Sequence, residues 1–188
     1  MKRTFIAIDI PPSIAIKECI GSFSKALENE RIKWLDSENL HLTLKFLGET
    51  KEPILQAIND TLAKIAAAQP AFDIIIKHTG IFKNLATPTV IWLGVERSPA
   101  LETLHSAIDG QMKKLGFLPE SRKYSPHLTI GRVKKIKEKS KLQQLLQEKS
   151  PKEFQQFKAC EIIFYESIPG YSGPDYIPLG NHKLDGAP

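Results

Sequence analysis

The 188-residue sequence predicts an α+β fold in which two lobes face a cleft. Apolar residues switch repeatedly between the two-residue period of a strand and the 3.6-residue period of a helix. Several strand-like runs also follow one another with no helix between them, which favours a mixed or antiparallel sheet with outer helices over a doubly wound one. The third observation is a repeated pattern, apolar-His-apolar-Thr-apolar, at residues 40–44 and 126–130, as though a strand-helix unit had been used twice.

The elements follow in order. Thr4 to Ile8 is a short apolar strand, and Pro11-Pro12 separates it from a helix whose Ile16, Ile20, Phe23 and Leu27 share one face. Leu40 to Leu47 alternates as a strand. A second helix carries the stripe Ile54, Ile58, Leu62 and Ile65 and is closed by Pro70. Strands are expected over Phe72 to Lys77 and Val90 to Val95, then a third helix with Leu101, Leu104, Ile108, Met112 and Leu115 inward and Gly116 as its C-cap. His127 to Val133 is a strand, a short helix runs from near Ser140 to Glu148, Phe157 to Tyr165 is a strand, and a last strand lies near Tyr176.

Composition sets the class. With 41% hydrophobic and 25% charged residues the chain resembles an average globular protein, and its length suits a single domain, residues 1–188, made of two lobes. No apolar run approaches the roughly 18 residues a membrane span requires. The first nine residues lack a cleavage site for a signal peptide, so no membrane association and a cytoplasmic location are expected. Cys19 and Cys160 lack C-x-x-C spacing, which argues against a disulfide framework or a zinc site and leaves them as reduced packing residues. A net charge of +5 permits an anionic partner.

In a strand, alternate side chains share a face. Leu40, Leu42, Leu44 and Phe46 are therefore expected inward, with His41, Thr43 and Lys45 on the opposite face. In the second copy Leu128 and Ile130 face inward and His127 and Thr129 face out. An imidazole with an ordinary pKa of about 6.5 exchanges protons near neutrality, and a threonine hydroxyl can bond a nonbridging phosphate oxygen. Two such pairs can flank one phosphate, one histidine taking a proton from attacking water and the other protonating the leaving oxygen. A lone histidine on a strand would be ordinary surface; the repetition is what argues for a site. His78, His105 and His182 have no such companion and are expected to be structural or superficial.

Other chemistries lack their residues. Neither histidine has a second ligand type at metal-binding spacing, no G-x-x-x-x-G-K-[ST] occurs, and Ser125 lacks the glycines of a nucleophile elbow. No metal or cofactor is expected. Eight basic residues, Arg122, Lys123, Arg132, Lys134, Lys135, Lys137, Lys139 and Lys141, crowd the second motif against Glu138 alone, which suits a polyanion. Arg132, Lys45 and Tyr124 are candidate RNA contacts. Strand parity turns Arg132 inward unless Gly131 introduces a bulge. Trp34, Phe46 and Tyr124 could stack on a base, although the parity of Phe46 is inward.

The segments Arg3-Thr-Phe-Ile-Ala-Ile, Glu38-Asn-Leu-His-Leu-Thr-Leu-Lys-Phe-Leu-Gly48, Ser125-Pro-His-Leu-Thr-Ile-Gly-Arg132 and Tyr165-Glu-Ser-Ile, with Gly173-Pro and Tyr176, carry a resemblance over nearly the whole chain. The sequence resembles the bacterial and archaeal RNA 2′,3′-cyclic phosphodiesterases, also called 2′-5′ RNA ligases, of the 2H phosphoesterase superfamily. The resemblance implies a bilobal fold with two pseudo-symmetric antiparallel sheets across a central cleft and helices outside. It implies metal-independent hydrolysis of a terminal 2′,3′-cyclic phosphate on RNA to a 2′-phosphomonoester. His41 would be the proton donor, His127 the acceptor, and Thr43 and Thr129 the phosphate-binding hydroxyls. Partners would be RNA ends, such as tRNA fragments, or cyclic nucleotides, met by a monomer. Two alternatives remain open: reversible 2′-5′ ligation, and a noncatalytic RNA- or nucleotide-binding module. Gly131 stands where many relatives have Ala.

Overall fold

A computed structural model describes residues 1–119, 123–150, 152–170 and 173–186. The elements run β1 (Lys2–Asp9), α1 (Ile14–Ala26), β2 (Arg31–Trp34), β3 (His41–Thr50), α2 (Glu52–Ala67), β4 (Phe72–Phe82), β5 (Val90–Val95), α3 (Pro99–Lys114), β6 (His127–Lys135), α4 (Lys139–Lys149), β7 (Glu153–Ala159), β8 (Glu161–Pro169) and β9 (Pro174–Lys183). They build two sheets, in the orders β3-β1-β8-β9 and β2-β6-β5-β4-β7, and every neighbouring pair is antiparallel. This is the α+β bilobal arrangement expected.

Local chemistry starts and stops the helices where the sequence suggested. The Ser13 hydroxyl accepts from the Ile16 amide and begins α1; Ser98 does the same for Leu101 at the head of α3, with Pro99 filling the first helical turn. Gly116, just past α3, takes the left-handed conformation at φ 92°. The buried faces are Ile16, Cys19, Ile20 and Phe23 on α1, Ile58, Leu62 and Ala66 on α2, and Leu101, Leu104, Ile108 and Met112 on α3. None of the described helices is long and apolar enough to cross a membrane.

The helices are exchanged between the halves. α1 leaves β1 of the first sheet yet packs beside α4 and β7 of the second; α3 leaves β5 of the second sheet yet packs against α2 and β3 of the first. One continuous apolar core, from Ile6 and Ile8 through Leu42, Leu93 and Leu128 to Phe164, consequently fills the space behind both sheets. A smaller cluster of Phe5, Ala7, Ile163 and Tyr165, with Tyr176 against it, lies on the other face of the first sheet.

Three features differ from the sequence reading. β2 is not predicted: Arg31-Ile32-Lys33-Trp34 does alternate, but four residues is the shortest run that can signal a strand. The run from Phe157 to Tyr165 is two strands, β7 in the second sheet and β8 in the first, with the crossing at Cys160. Four consecutive residues of β8, Ile162 to Tyr165, are buried because the strand has the main core on one face and the aromatic cluster on the other, so no alternation marks the change of sheet. Cys160 is exposed at that crossing, which corrects its expected packing role, whereas Cys19 is buried.

The third feature governs the site. In β3, Thr43 pairs with Ala7 and Lys45 with Ile6, leaving Leu44 as an extra residue; in β6, Thr129 pairs with Trp92 and Gly131 with Ile91, leaving Ile130 as the extra one. Each bulge reverses the alternation beyond it. Lys45 and Gly131 therefore turn to the core, and Phe46 and Arg132 turn to the opposite face. Phe46 is 55% exposed, which corrects its expected inward direction. A side chain at Gly131 would meet Trp34, whose ring atoms lie 2.9 Å from where its Cβ would sit. Gly131→Val should lower stability by about 1–3 kcal/mol through overpacking, read as a lower urea midpoint with an unchanged denaturant slope.

Candidate active site

His41 and His127 are each the first residue of their strand, β3 and β6. His41 Nδ1 lies 3.0 Å from the carbonyl of Asn39 and His127 Nδ1 lies 2.7 Å from the carbonyl of Ser125, in both cases the residue two before. A carbonyl can only accept, so Nδ1 donates and carries the proton of the neutral ring, leaving Nε2 as the nitrogen available to a substrate. Both rings line one cavity of about 800 Å³. Thr43 and Thr129, two residues further along on the same strand faces, line it as well.

Burial pulls the proton affinity of both histidines below the ordinary imidazole value, outweighing the Nδ1 bonds to Asn39 and Ser125, which raise it. Arg132 opposes protonation of both rings, and His127 opposes that of His41. Asp9 acts on His41 alone, in favour of the cation. Aromatic rings hold the imidazoles in place. Phe5 and Tyr176 each lie 4.9 Å from the His41 ring, and Phe82 meets the His127 ring edge-on at 4.6 Å.

The walls differ in character. Arg3, Lys33, Lys123 and Arg132 supply positive charge, with Lys33 directly across the β2–β6 ladder from Arg132. Phe5, Phe46, Phe82 and Tyr176 supply flat apolar surface. Arg132 reaches the cleft because of the Ile130 bulge, which resolves the parity objection raised by the sequence.

The other expected contacts, Lys45 and Tyr124, also border the cavity, but their polar groups are engaged within the fold. Lys45 is 2% exposed; its Nζ pairs with the Asp109 carboxylate and donates to the Leu118 carbonyl at 3.0 Å, so its ammonium is spent inside the fold and is withdrawn as an RNA contact. Tyr124 lines the cavity, but its hydroxyl donates to the Thr43 carbonyl at 3.3 Å and its ring stacks on His105 at 3.8 Å, so it joins the two lobes with one ring face already covered. Trp34 packs over Gly131 and toward Phe23 rather than into the cleft. Arg122 lies outside the described residues. Lys134, Lys135, Lys137, Lys139 and Lys141 are exposed, and the cavity wall does not include them.

His78 bonds the Ser150 carbonyl at 2.6 Å and His182 faces the Asn59 side chain at 3.0 Å, as expected of structural histidines. Among the described residues no group of three or more His, Cys, Asp and Glu is placed to hold a metal ion. Sequence reasoning missed Lys33 and Phe82. The alternation of β2 was too short to place the first, and the expected end of β4 at Lys77 fell short of the second.

The family model of the 2′-5′ RNA ligase superfamily matches residues 11–167, and the chain belongs to that family. It is 40% identical over 174 residues, 93% of this chain and 96% of the other, to the RNA 2′,3′-cyclic phosphodiesterase of Methanocaldococcus jannaschii. To the protein of the same name from Methanothermobacter thermautotrophicus it is 32% identical, over 97% of this chain and 98% of the other. Among solved structures it is similar to E. coli LigT complexed with 3′-AMP, with a TM-score of 0.76, 25% identity and coverage of 97% of this chain and 98% of that one. A Thermus thermophilus structure shares the fold at a TM-score of 0.81 and 22% identity, covering 98% of each chain.

Two outcomes follow from the site. Lys45→Ala should cost about 1–3 kcal/mol, because the partly exposed Asp109 carboxylate loses the buried ammonium it pairs with, while RNA affinity by fluorescence anisotropy stays unchanged. Below about pH 6.5 the unfolded chain binds more protons at His41 and His127 than the folded one does. Their contribution is therefore full above that pH and is lost as pH falls through their lowered folded values. Melting temperature should drop from pH 7 to pH 5, and the drop should be smaller in the His41→Ala/His127→Ala variant.

Proposed function

We propose that the chain hydrolyses a terminal 2′,3′-cyclic phosphate of RNA to a 2′-phosphomonoester, with His41 as proton donor and His127 as proton acceptor. The observation that carries this reading is the matched pair of Nδ1-anchored histidines, each with a threonine two residues on, lining one cavity. The names of the relatives at 40% and 32% identity supply the substrate class.

Neutral His127 uses its Nε2 lone pair to take a proton from water, and that water attacks phosphorus. The bond from phosphorus to the ribose O3′ breaks, and His41 delivers its Nε2 proton to that oxygen. Thr43 and Thr129 hold nonbridging oxygens, and Arg132, with Lys33 beside it, balances the charge that develops on them. The chain's part in the scheme is complete without a metal or cofactor. Phe46, Phe82 and Tyr176 offer surfaces for the unstacked terminal bases.

The acting unit is residues 1–188 as one two-lobed domain and a monomer, since a continuous core joins the halves and each supplies one histidine. RNA ends, including tRNA fragments, and small cyclic nucleotides fit the cleft's mixture of charge and aromatic surface. Such substrates suit work in the cytoplasm.

His41→Ala and His127→Ala should each lower turnover of an oligonucleotide 2′,3′-cyclic phosphate by about 10² to 10⁴, with no effect of EDTA on the parent protein. Phosphorus NMR of the product should show a 2′-phosphate. A 3′-phosphate would overturn the assigned polarity, and full turnover in either variant would overturn the two-histidine scheme.

A further inference from the structure

The two halves of the site are built alike up to one position. β1 pairs with β3 as β5 pairs with β6, each histidine opens its strand, and each histidine strand carries a bulge at the residue after its threonine. The residue directly across the ladder from His41 is Asp9; the residue directly across from His127 is Gly94. Directly opposed residues of an antiparallel pair project from the same face with their Cβ atoms about 4.5–5.5 Å apart. At this one place, therefore, His41 has a carboxylate and His127 has a glycine.

The fold enforces that difference. A Cβ built on Gly94 would lie 2.7 Å from the backbone oxygen of Lys77, so the place beside His127 has no room for a side chain of any kind. Asp9, in contrast, is held. The Tyr165 hydroxyl on β8 lies 2.7 Å from both of its carboxylate oxygens, and Tyr165 is fixed in turn by stacking on Phe5 at 5.2 Å, which itself touches the His41 ring.

We infer that Asp9, held by Tyr165, is the positioning residue that makes His41 rather than His127 the proton donor of the pair. The inference rests on the two-histidine reaction proposed above. Two neutral, equivalent imidazoles would give no direction to proton transfer, and a productive cycle needs one protonated and the other not. Arg132 bears on both rings in the same sense and cannot separate them. The groups that face His41 are Asp9 from β1, Arg132 and His127 from β6, Tyr176 from β9 and the Asn39 carbonyl; the carbonyl and Asp9 favour its cation, but His127 has the matching bond from Ser125, so Asp9 is the one that distinguishes the two rings.

The test is Asp9→Asn, which keeps the shape and an acceptor for the Tyr165 hydroxyl while removing the charge. The Cε1 proton shifts of His41 and His127 are followed by NMR from pH 4 to 9, with His41→Ala and His127→Ala as assignment standards. The His41 midpoint should fall while that of His127 stays in place. In kcat/KM for a 2′,3′-cyclic dinucleotide, the alkaline limb should move to lower pH with the acid limb unmoved, so that the rate at pH 8 falls about threefold to tenfold further than at pH 5.5. Asp9→Ser, smaller and neutral, should repeat both results and replaces the amide if that disturbs the strand end. A His41 midpoint that stays put, or equal movement of both histidines, overturns the inference. Failure of the underlying reaction reads differently: His41→Ala would retain turnover, whereas the NMR titration still judges Asp9 by itself.

Discussion

The arrangement depends on an extra residue just past each His-x-Thr segment. A strand is bound to alternate, and a strand whose one face is core and whose other face is a site can serve both only while its sequence keeps step. Leu44 and Ile130 break step, each immediately after a His-x-Thr segment. Without the bulge at Ile130, Arg132 would point into an apolar core, where an unpaired charge costs far more than a local kink in a ladder. With it, the histidine, the threonine and the residue at the third place beyond the threonine all meet the cleft, and the leucines remain behind.

That constraint also marks the limit of what could be read from the chain. The His-Thr pairs and the leucines beneath them follow from parity alone, and the helical stripes of α1, α2 and α3 proved to be their buried faces. Past Leu44 the same parity fails, so Lys45 and Phe46 exchange the roles expected of them. Gly131 was the legible hint, since a glycine inside a strand often accompanies a bulge or a close approach, and here Trp34 makes the approach. No glycine stands at the matching place in β3. Lys45 occupies it, and its buried position is explained by Asp109, which is 64 residues distant along the chain and invisible to any local pattern.

The likeness of the two lobes conceals a division of labour. Each imidazole has ring neighbours, Phe5 and Tyr176 at His41 and Phe82 at His127, but past the bulge in β3 stands a further ring, Phe46. Past the bulge in β6 the matching position holds Arg132, with Lys33 across the ladder. The residue just beyond the bulge is thus an aromatic ring in one half and a guanidinium in the other. A ligand with a flat base and a charged phosphate is asymmetric in the same way, so the cleft has a preferred orientation for it even though its scaffold is nearly twofold.

The exchange of α1 and α3 between the halves has a mechanical consequence. Each half is clasped by a helix that grows out of the other, and the apolar core passes beneath both sheets without a seam. Halves joined only by a hinge could swing apart at the cost of the surface between them, whereas here any widening of the cleft would have to shear a close-packed interior. The gap between the two imidazoles is thereby a property of the folded chain, set before any ligand arrives.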